Sequence, residues 1–288
     1  MPIDEIKFDD LMPAEQAAFN KILALIYQRR GVDFRQYRPK CLRRRVTVRM
    51  NDTHQETFKA YLDYLEAHPE ECDLLLDRIT INVTEFFRNP ETYNAVVQKV
   101  VPDLIRRKQQ SGSRMVRVWS AGCATGEEPY SLAMLLHETL QESGAGLTPR
   151  IFATDIDKEA MAIAQEGSYE ARYLKGLSAL RIKKYFTVTE DGRYRINPEP
   201  AGLIKFSNHN MIADPPLRNI DMIFCRNVVI YFGRELQQKV YENFYQALAP
   251  GGYLIAGKVE TLIGTGEKMF ERIDVVERIF RKKPLETI

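Results

Sequence analysis

Short apolar runs of β-type residues alternate with helical segments through most of the chain after residue 106. The β-type runs are 115–119, 151–154, 203–207, 220–225 and 252–256, and helical patterns at 127–141, 158–166 and 234–248 lie between them. A strand followed by a helix and another strand needs a crossover connection, which makes neighbouring strands parallel. We therefore predict an α/β fold with a doubly wound, mainly parallel sheet.

Two regions depart from this alternation. At about 168–203 a short helical piece precedes two brief strands that flank the turn at Asp191-Gly192, which predicts a small antiparallel β-subdomain inserted in the sheet domain. Residues 1–82 carry apolar residues at helical spacing without a strand pattern, which predicts an all-α N-terminal domain. The predicted division is a helical domain at 1–82, a linker at 83–105 and an α/β domain at 106–288.

Composition excludes several classes of protein. The chain has 288 residues, and 44% of them are hydrophobic, so it can build a substantial core. No apolar run is long enough for a transmembrane helix, and the first residues lack the apolar region of a secretory signal. The four cysteines include no CxxC pair, which argues against a disulfide framework or a bound metal. We expect a cytoplasmic protein without membrane insertion.

Positive charge is concentrated near the amino terminus. The whole chain has 41 basic and 39 acidic residues, whereas residues 28–50 hold nine basic residues and one acidic residue, a local net charge of +8. Such a segment attracts an acidic partner, either a nucleic acid or an acidic protein surface. The alternative is a solvated helix face that the acidic residues at 66–77 balance.

The loop after the first predicted strand has the features of a ligand-binding turn. Gly122 and Gly126 let the backbone turn tightly, but the loop is neither GxGxxG nor a phosphate-binding GK[ST] loop. Two glutamates, Glu127 and Glu128, open the next helix and disfavour a pyrophosphate. They suit a sulfonium cation or a ribose hydroxyl. The alternative is that Thr125 and Glu128 only form a capping box.

The second strand ends in Thr154-Asp-Ile-Asp157. An acidic residue at this position grips a ribose in such folds, because one carboxylate accepts hydrogen bonds from both hydroxyls. We assign this role to Asp155 and expect Asp157 to cap the following helix. The two loops together favour a nucleoside without phosphates, and therefore S-adenosylmethionine over NAD.

Three further segments place polar residues at strand ends or beside the sheet. They are Asn82-Val-Thr-Glu-Phe-Phe-Arg88, Asn208-His-Asn210 and Cys225-Arg-Asn-Val-Val-Ile-Tyr-Phe232. In the first, the alternative is a linker whose phenylalanines fill a seam. His209 has no serine or cysteine nucleophile pattern beside it, so hydrolase chemistry is not predicted.

Four motifs in one order resemble those of the CheR family, the chemotaxis-receptor methyltransferases. They are Asn82-x-Thr-x-Phe-Phe-Arg88, Ser120-Ala-Gly-x-x-Thr-Gly-Glu-Glu-Pro-Tyr-Ser131, Thr154-Asp-Ile-Asp157 and Cys225-Arg-Asn-Val-x-Ile-Tyr-Phe232. The resemblance covers nearly the whole chain. It implies an S-adenosylmethionine-dependent protein-glutamate O-methyltransferase that esterifies glutamates on the acidic cytoplasmic helices of chemoreceptors and releases S-adenosylhomocysteine.

The resemblance also assigns roles to single residues. Arg88, Tyr231 and Arg226 would be catalytic. The cofactor-binding residues would be Asn82, Thr84, Arg88, Glu127 or Glu128, Asp155, Asn210, Met211, Arg226 and Asn227, and no metal is implied. Arg43, Arg44 and Arg45 would bind the receptor.

Two departures from the family pattern limit the comparison. The family's Gly-His-Ser-Glu segment is Gly257-Lys-Val-Glu260 here, and we give it no role. The hairpin turn at 190–193 is short, whereas in some members the β-subdomain binds a peptide tether of the receptor. We therefore expect recognition without a tether.

Methyl transfer to a carboxylate needs no general base, because a glutamate is already ionised at neutral pH. We expect Arg88 to orient that carboxylate and Arg226 to be the alternative. Two other functions fit the same residues. A nucleic-acid methyltransferase would use the arginines on phosphates and Phe34 and Tyr37 on bases, and a receptor-binding adaptor would have lost cofactor binding.

Overall fold

A computed structural model describes residues 12–80 and 82–284 of the chain. These residues divide into two compact units. The first comprises 12–80 together with 231–236, and the second comprises 82–230 and 237–284. Within the described residues, no helix has both the length and the apolar composition needed to cross a bilayer.

Four helices form most of the first unit. They are α1 (Pro13–Arg30), α2 (Pro39–Asp52), α3 (Phe58–Ala67) and α4 (Glu71–Ile79). Proline begins α1 and α2, where a missing N–H costs no hydrogen bond. Gly31, with a φ of 74°, ends α1, and the Thr57 side chain caps α3 by accepting from the Ala60 amide. The all-α character predicted for this part of the chain is confirmed.

A buried ion pair joins three of these helices. Glu71 on α4 is 3% exposed, and its carboxylate accepts two hydrogen bonds from the Arg49 guanidinium of α2, at 2.8 and 2.7 Å. The Tyr61 hydroxyl of α3 donates to the same carboxylate at 2.7 Å. This bidentate pairing fixes α2, the helix that carries the consecutive arginines, relative to α3 and α4.

The second unit contains the remaining elements. Its helices are α5 (Pro90–Lys99), α6 (Val101–Ser111), α7 (Glu127–Glu142), α8 (Lys158–Glu166), α9 (Ala179–Tyr185), α10 (Pro198–Ala201), α11 (Arg234–Ala247, which begins in the first unit) and α12 (Thr265–Met269). Its strands are β1 (Met115–Ala121), β2 (Thr148–Asp155), β3 (Ser168–Tyr169), β4 (Phe186–Val188), β5 (Tyr194–Ile196), β6 (Ile204–Asn208), β7 (Ile220–Cys225), β8 (Leu248–Ala256), β9 (Phe270–Asp274) and β10 (Ile279–Lys282).

A seven-stranded sheet in the order β6-β2-β1-β7-β8-β10-β9 organises the second unit. The first five strands are parallel, and β10 runs antiparallel to both β8 and β9. The strand order reverses at β1, because β2 lies on one side of it and β7 on the other. The prediction of a doubly wound, mainly parallel sheet is confirmed, and its switch point lies between β1 and β7.

The predicted insertion is also present. Strands β3, β5 and β4 form a separate antiparallel sheet within residues 168–196. A 3₁₀ helix at Ala171–Gly176 follows β3. A Cβ on Gly176 would lie 2.2 Å from the Phe86 carbonyl oxygen, so only glycine allows this close approach of two backbones.

The region expected to be a linker, residues 83–105, differs from that expectation. It contains α5 and the start of α6, and the expected boundary at 106 falls inside α6. Tyr93, Val96, Val100 and Leu104 are almost fully buried in the core of the second unit. Their helical spacing is present in the sequence, but Pro90 precedes it and Pro102 interrupts it. Each proline stands in the first turn of its helix, where proline is tolerated.

Candidate cofactor site

Three loops meet where β1, β2 and β7 end. The backbone of Gly122, directly after β1, has a φ of +79°, and its amide donates to the Thr154 carbonyl of β2 at 2.8 Å. A Cβ on Gly122 would lie 2.6 Å from a methyl carbon of Val228, which follows β7. The loops are therefore in contact at the switch point, where open α/β sheets bind ligands.

Asp155 ties the first two loops together. One oxygen of its carboxylate accepts from the Ala124 amide at 2.8 Å and the other from the Asp157 amide at 3.0 Å. Burial raises the pKa of Asp155, and these amide hydrogen bonds oppose that rise. A carboxylate has about four acceptor positions, so Asp155 keeps capacity for two ribose hydroxyls.

Asp157 caps α8, as expected. Its Oδ1 accepts from the amides of Glu159 and Ala160, both at 3.0 Å. Its Oδ2 accepts from the Asn82 side-chain amide at 2.8 Å. The structure thus brings Asn82 to the end of β2, and half-buried Thr84 follows on the same segment.

The two glutamates of α7 have different surroundings. Glu127 is 1% exposed and accepts from the Thr125 hydroxyl at 2.7 Å. Glu128 accepts from the Ser120 hydroxyl of β1 at 2.7 Å. Gly126 is the N-cap of α7 and no side chain caps it, so the alternative that Thr125 and Glu128 form a capping box is wrong.

Burial raises the pKa of both glutamates. The positive charge of Arg226 opposes this effect on Glu128, whereas the carboxylate of Glu260 adds to it. Glu128 therefore belongs to a buried charged cluster, while Glu127 is paired locally with a threonine.

Arg226 is the centre of that cluster. It is 6% exposed, and it donates from Nη1 to the Arg88 carbonyl oxygen at 2.8 Å and from Nη2 to Asn89 Oδ1 at 2.7 Å. Its guanidinium also lies 5.7 Å from the centre of the Tyr93 ring. Both terminal nitrogens of Arg226 thus form hydrogen bonds to residues 88 and 89. This arrangement favours a role for Arg226 in positioning Arg88.

Arg88 projects from a strained corner. The residues on either side, Phe87 and Asn89, have positive φ values of 52° and 56°. Non-glycine residues adopt this conformation at a cost, so the surroundings must enforce it. The hydrogen bonds from Arg226 to Arg88 and Asn89 stabilise this conformation. The Phe87 amide adds a further hydrogen bond, which it donates to the Ser131 hydroxyl at 2.9 Å. Half-buried Arg88 itself donates to the Val83 carbonyl oxygen at 3.0 Å.

Asn210 and Met211 lie on the other side of β2. They follow β6, which pairs with β2 up to Asp155. Asn210 Oδ1 accepts from the amides of Ile212 and Ala213 at 2.9 and 3.2 Å, so it shapes the local turn. Met211 is 8% exposed and could contribute an apolar surface for a base.

Asn227 and Tyr231 follow β7 but differ in their placement. Asn227 has a φ of 62°, and its Oδ1 is buried without a hydrogen-bond partner among the described residues. Tyr231 belongs to the first unit, where its carbonyl oxygen accepts from the Arg38 amide at 2.8 Å. Tyr231 thus belongs to a different unit from the other candidate residues.

Glu260, to which no role was assigned from the sequence, lies beside the candidate residues. Its carboxylate is 3% exposed and accepts from the amides of Val228 and Val229 at 3.0 and 2.9 Å. Two signals in the sequence could have identified it: its match to the glutamate of the family's Gly-His-Ser-Glu segment, and its place shortly after a strand, at the end of the sheet where ligands bind.

Two family models match the chain. One, described as the CheR methyltransferase SAM binding domain, covers residues 82–279, and the other, described as the CheR methyltransferase all-alpha domain, covers residues 17–80. The first match contains most of the candidate residues described above. S-adenosylmethionine carries a sulfonium and an ammonium group, and two features at this end of the sheet suit such a ligand: the Glu128 carboxylate, and the buried Asn227 Oδ1, which has no partner among the described residues.

Curated relatives match over most of the chain. The chemotaxis protein methyltransferase of Escherichia coli is 34% identical over 88% of this chain and 88% of its own length. Chemotaxis protein methyltransferase 2 of Vibrio cholerae is 31% identical over 82% of each chain. An uncharacterized 104.1 kDa protein of Rhodobacter capsulatus is 35% identical over 89% of this chain, which spans 26% of that relative's length.

We predict that Gly122→Ala weakens binding of S-adenosylhomocysteine, because its Cβ would displace Val228 and with it the loop after β7. Gly112→Ala is the matched control, since Gly112 has a similar φ of +70° with no atom within 4 Å of the added Cβ. Each variant should lose about 1 kcal/mol of folding free energy through backbone strain. Calorimetry should show a higher Kd for Gly122→Ala alone, and equal Kd values would contradict the described loop contact.

Proposed function

This chain belongs to the CheR methyltransferase family, and from that premise we propose that it esterifies glutamate side chains of chemoreceptors with a methyl group from S-adenosylmethionine. The observation that supports this most strongly is the match of residues 82–279 to the SAM binding domain together with the cluster of loops at the switch point. The reaction would take place in the cytoplasm, on the acidic helices of the receptors.

The candidate residues at the strand ends suit the different chemical groups of this cofactor. Asp155 would accept from the ribose hydroxyls, and Asn210 and Met211 would contact the adenine. Glu128 and Asn227 would accept from the ammonium group, whereas Glu127 is engaged by Thr125. Asn82 and Thr84 would complete the site from the segment beside Asp157.

The bound cofactor would supply an electrophilic methyl group on a sulfonium. The protein has to bring a carboxylate oxygen in line with it, and correct positioning can contribute several kcal/mol. Arg88 would orient the incoming glutamate through its planar guanidinium. Arg226 would act indirectly, because its hydrogen bonds hold the backbone of Arg88. Tyr231 remains a proposed contributor on the basis of the family motif.

The receptor would bind the arginines of α2. Arg44 is exposed, and burial together with the Arg44 charge lowers the pKa of Arg45. Arg43 donates to the Gln16 side chain, and its guanidinium lies 5.5 Å from the centre of the Phe19 ring. We therefore assign binding of the acidic partner to Arg44 and Arg45. Arg43, which the resemblance also placed at the receptor, has a packing role instead.

The structure gives no support to the nucleic-acid alternative. Base stacking would require Phe34 and Tyr37, but Phe34 is 1% exposed and Tyr37 packs edge-on against Phe34 and Phe232 at 5.0 and 4.8 Å. The relatives named as methyltransferases also disfavour a binding adaptor without catalytic activity.

A labelling assay tests the proposed function. The full chain is incubated with methyl-labelled S-adenosylmethionine and receptor-containing membranes, and label released as methanol by alkali is measured. Methyl esters release methanol under these conditions, whereas N-methyl groups and ribose methyl ethers do not. Label that stays bound after alkali, or that appears on added RNA or DNA, would contradict glutamate esterification.

We predict that Arg88→Ala lowers turnover by about 10²-fold or more while the Kd for S-adenosylhomocysteine changes by less than about tenfold, because misplacement of the substrate is the main loss. Arg88→Lys keeps the positive charge but lacks the planar guanidinium, so its turnover should fall less than that of Arg88→Ala. Single-turnover rates and calorimetry separate these effects. Normal turnover of Arg88→Ala would remove Arg88 from the mechanism.

Reversing a charge on α2 should weaken binding of the receptor and leave binding of the cofactor unchanged. Arg44→Glu is expected to raise the KM for receptor membranes, most at low salt, without a change in cofactor Kd. Lys59→Glu is the control, since Lys59 is an exposed cation of the same unit on α3. Equal effects of the two variants would show that net charge, and not the α2 surface, determines binding.

A further inference from the structure

The Glu260 carboxylate is buried among backbone amides after β7 and β8. It accepts from the amides of Val228 and Val229, and from that of Gly257 at the end of β8. A hydrogen bond from the Asn227 amide lowers its pKa, against the rise that burial causes. One side chain therefore satisfies consecutive N–H groups of the loop that carries Asn227.

A second carboxylate lies near Glu260, and the two negative charges repel each other. Glu128, a half-buried carboxylate, is close enough that the Glu260 charge raises its pKa. The Arg226 charge lowers the pKa of Glu128 more strongly than the Glu260 charge raises it, so the guanidinium offsets the repulsion between the two carboxylates, and burial is the main cause of the raised pKa. A neutral side chain could hold a loop without that repulsion, although it could not accept so many N–H bonds.

The loop that Glu260 holds has an unusual backbone. Asn227 adopts a φ of 62°, a left-handed conformation that asparagine tolerates better than most residues. Its side-chain oxygen is buried and unpaired within the described chain, and a buried acceptor without a partner is unfavourable in the absence of a ligand.

We propose that Glu260 is a positioning residue for the cofactor: it fixes the left-handed turn at Asn227 so that the buried Asn227 Oδ1 can accept a hydrogen bond from the bound nucleoside's amino-acid portion. Glu260 acts through Asn227 and does not itself contact the ligand. The proposal rests on the cofactor of the proposed function, but it does not depend on which substrate receives the methyl group.

A double-mutant cycle tests this coupling. Glu260→Gln replaces one acceptor oxygen with an NH2 group, so at least one backbone amide loses its acceptor and faces a donor, and Asn227→Gly removes the side chain but permits the same φ. Calorimetry with S-adenosylhomocysteine should give a Kd about tenfold higher for each single variant. If both act through the same oxygen, the double variant should bind about as weakly as either single variant.

Asp221→Asn is the matched control. Asp221 is also a buried carboxylate, 4% exposed, but it lies at the opposite end of β7, where it accepts from the Arg117 amide and pairs with Lys108 at 2.7 Å. This variant should lose thermal stability without a change in Kd. Glu260→Asp, which keeps the charge on a shorter side chain, replaces Glu260→Gln if the latter does not fold, and it should also raise the Kd.

Two results would overturn the proposal. One is a Kd for the Glu260 variant within twofold of the wild-type value, and the other is additive losses in the double variant, about hundredfold in total. The binding measurement contains no receptor. If no alkali-labile label appears on the receptor but the double-mutant cycle gives the expected Kd values, the proposed substrate is rejected and the role of Glu260 is kept.

Discussion

The guanidinium of Arg226 holds together the backbone on which the candidate site depends. It binds the carbonyl of Arg88 and the side chain of Asn89, and so it stabilises a corner in which two non-glycine residues have positive φ. Its positive charge is close enough to Glu128 of α7 to lower the pKa of that carboxylate, and the charge of Glu260, after β8, raises it. Residues from four separate parts of the sequence thus interact electrostatically at the switch point.

The sequence predicted the sheet and the site to different extents. The five parallel strands and the inserted antiparallel sheet could be predicted because their β-type runs are separated by clear turn signals. Helices α5 and α6 were missed because their prolines resemble breaks in the sequence, although each stands in a first helical turn. Spacing alone could not show this, since a proline's effect depends on its place in the helix.

At the site, strand ends predicted which residues lie at the rim, but not what each side chain binds. The sequence predicted that Asp157 caps the following helix, and it does cap α8, whereas the amide hydrogen bonds by which Asp155 joins two loops could not be predicted. Glu260 keeps the glutamate of the family's Gly-His-Ser-Glu segment, but the motif could not show its contacts, since they are made to amides of residues about thirty positions earlier in the chain. Long-range hydrogen bonds of this kind leave no periodic pattern in a sequence.

The pair formed by Arg49 and Glu71 has a consequence for how such proteins diversify. Because this pair and Tyr61 orient α2 from inside the helical unit, the outward arginines contribute little to the folding of that unit. Solvent-facing positions such as Arg44 can then change without tilting the helix. Under the proposed docking role of α2, related chains would differ in target preference through a few surface substitutions, while the buried contacts that set the helix angle stay constant.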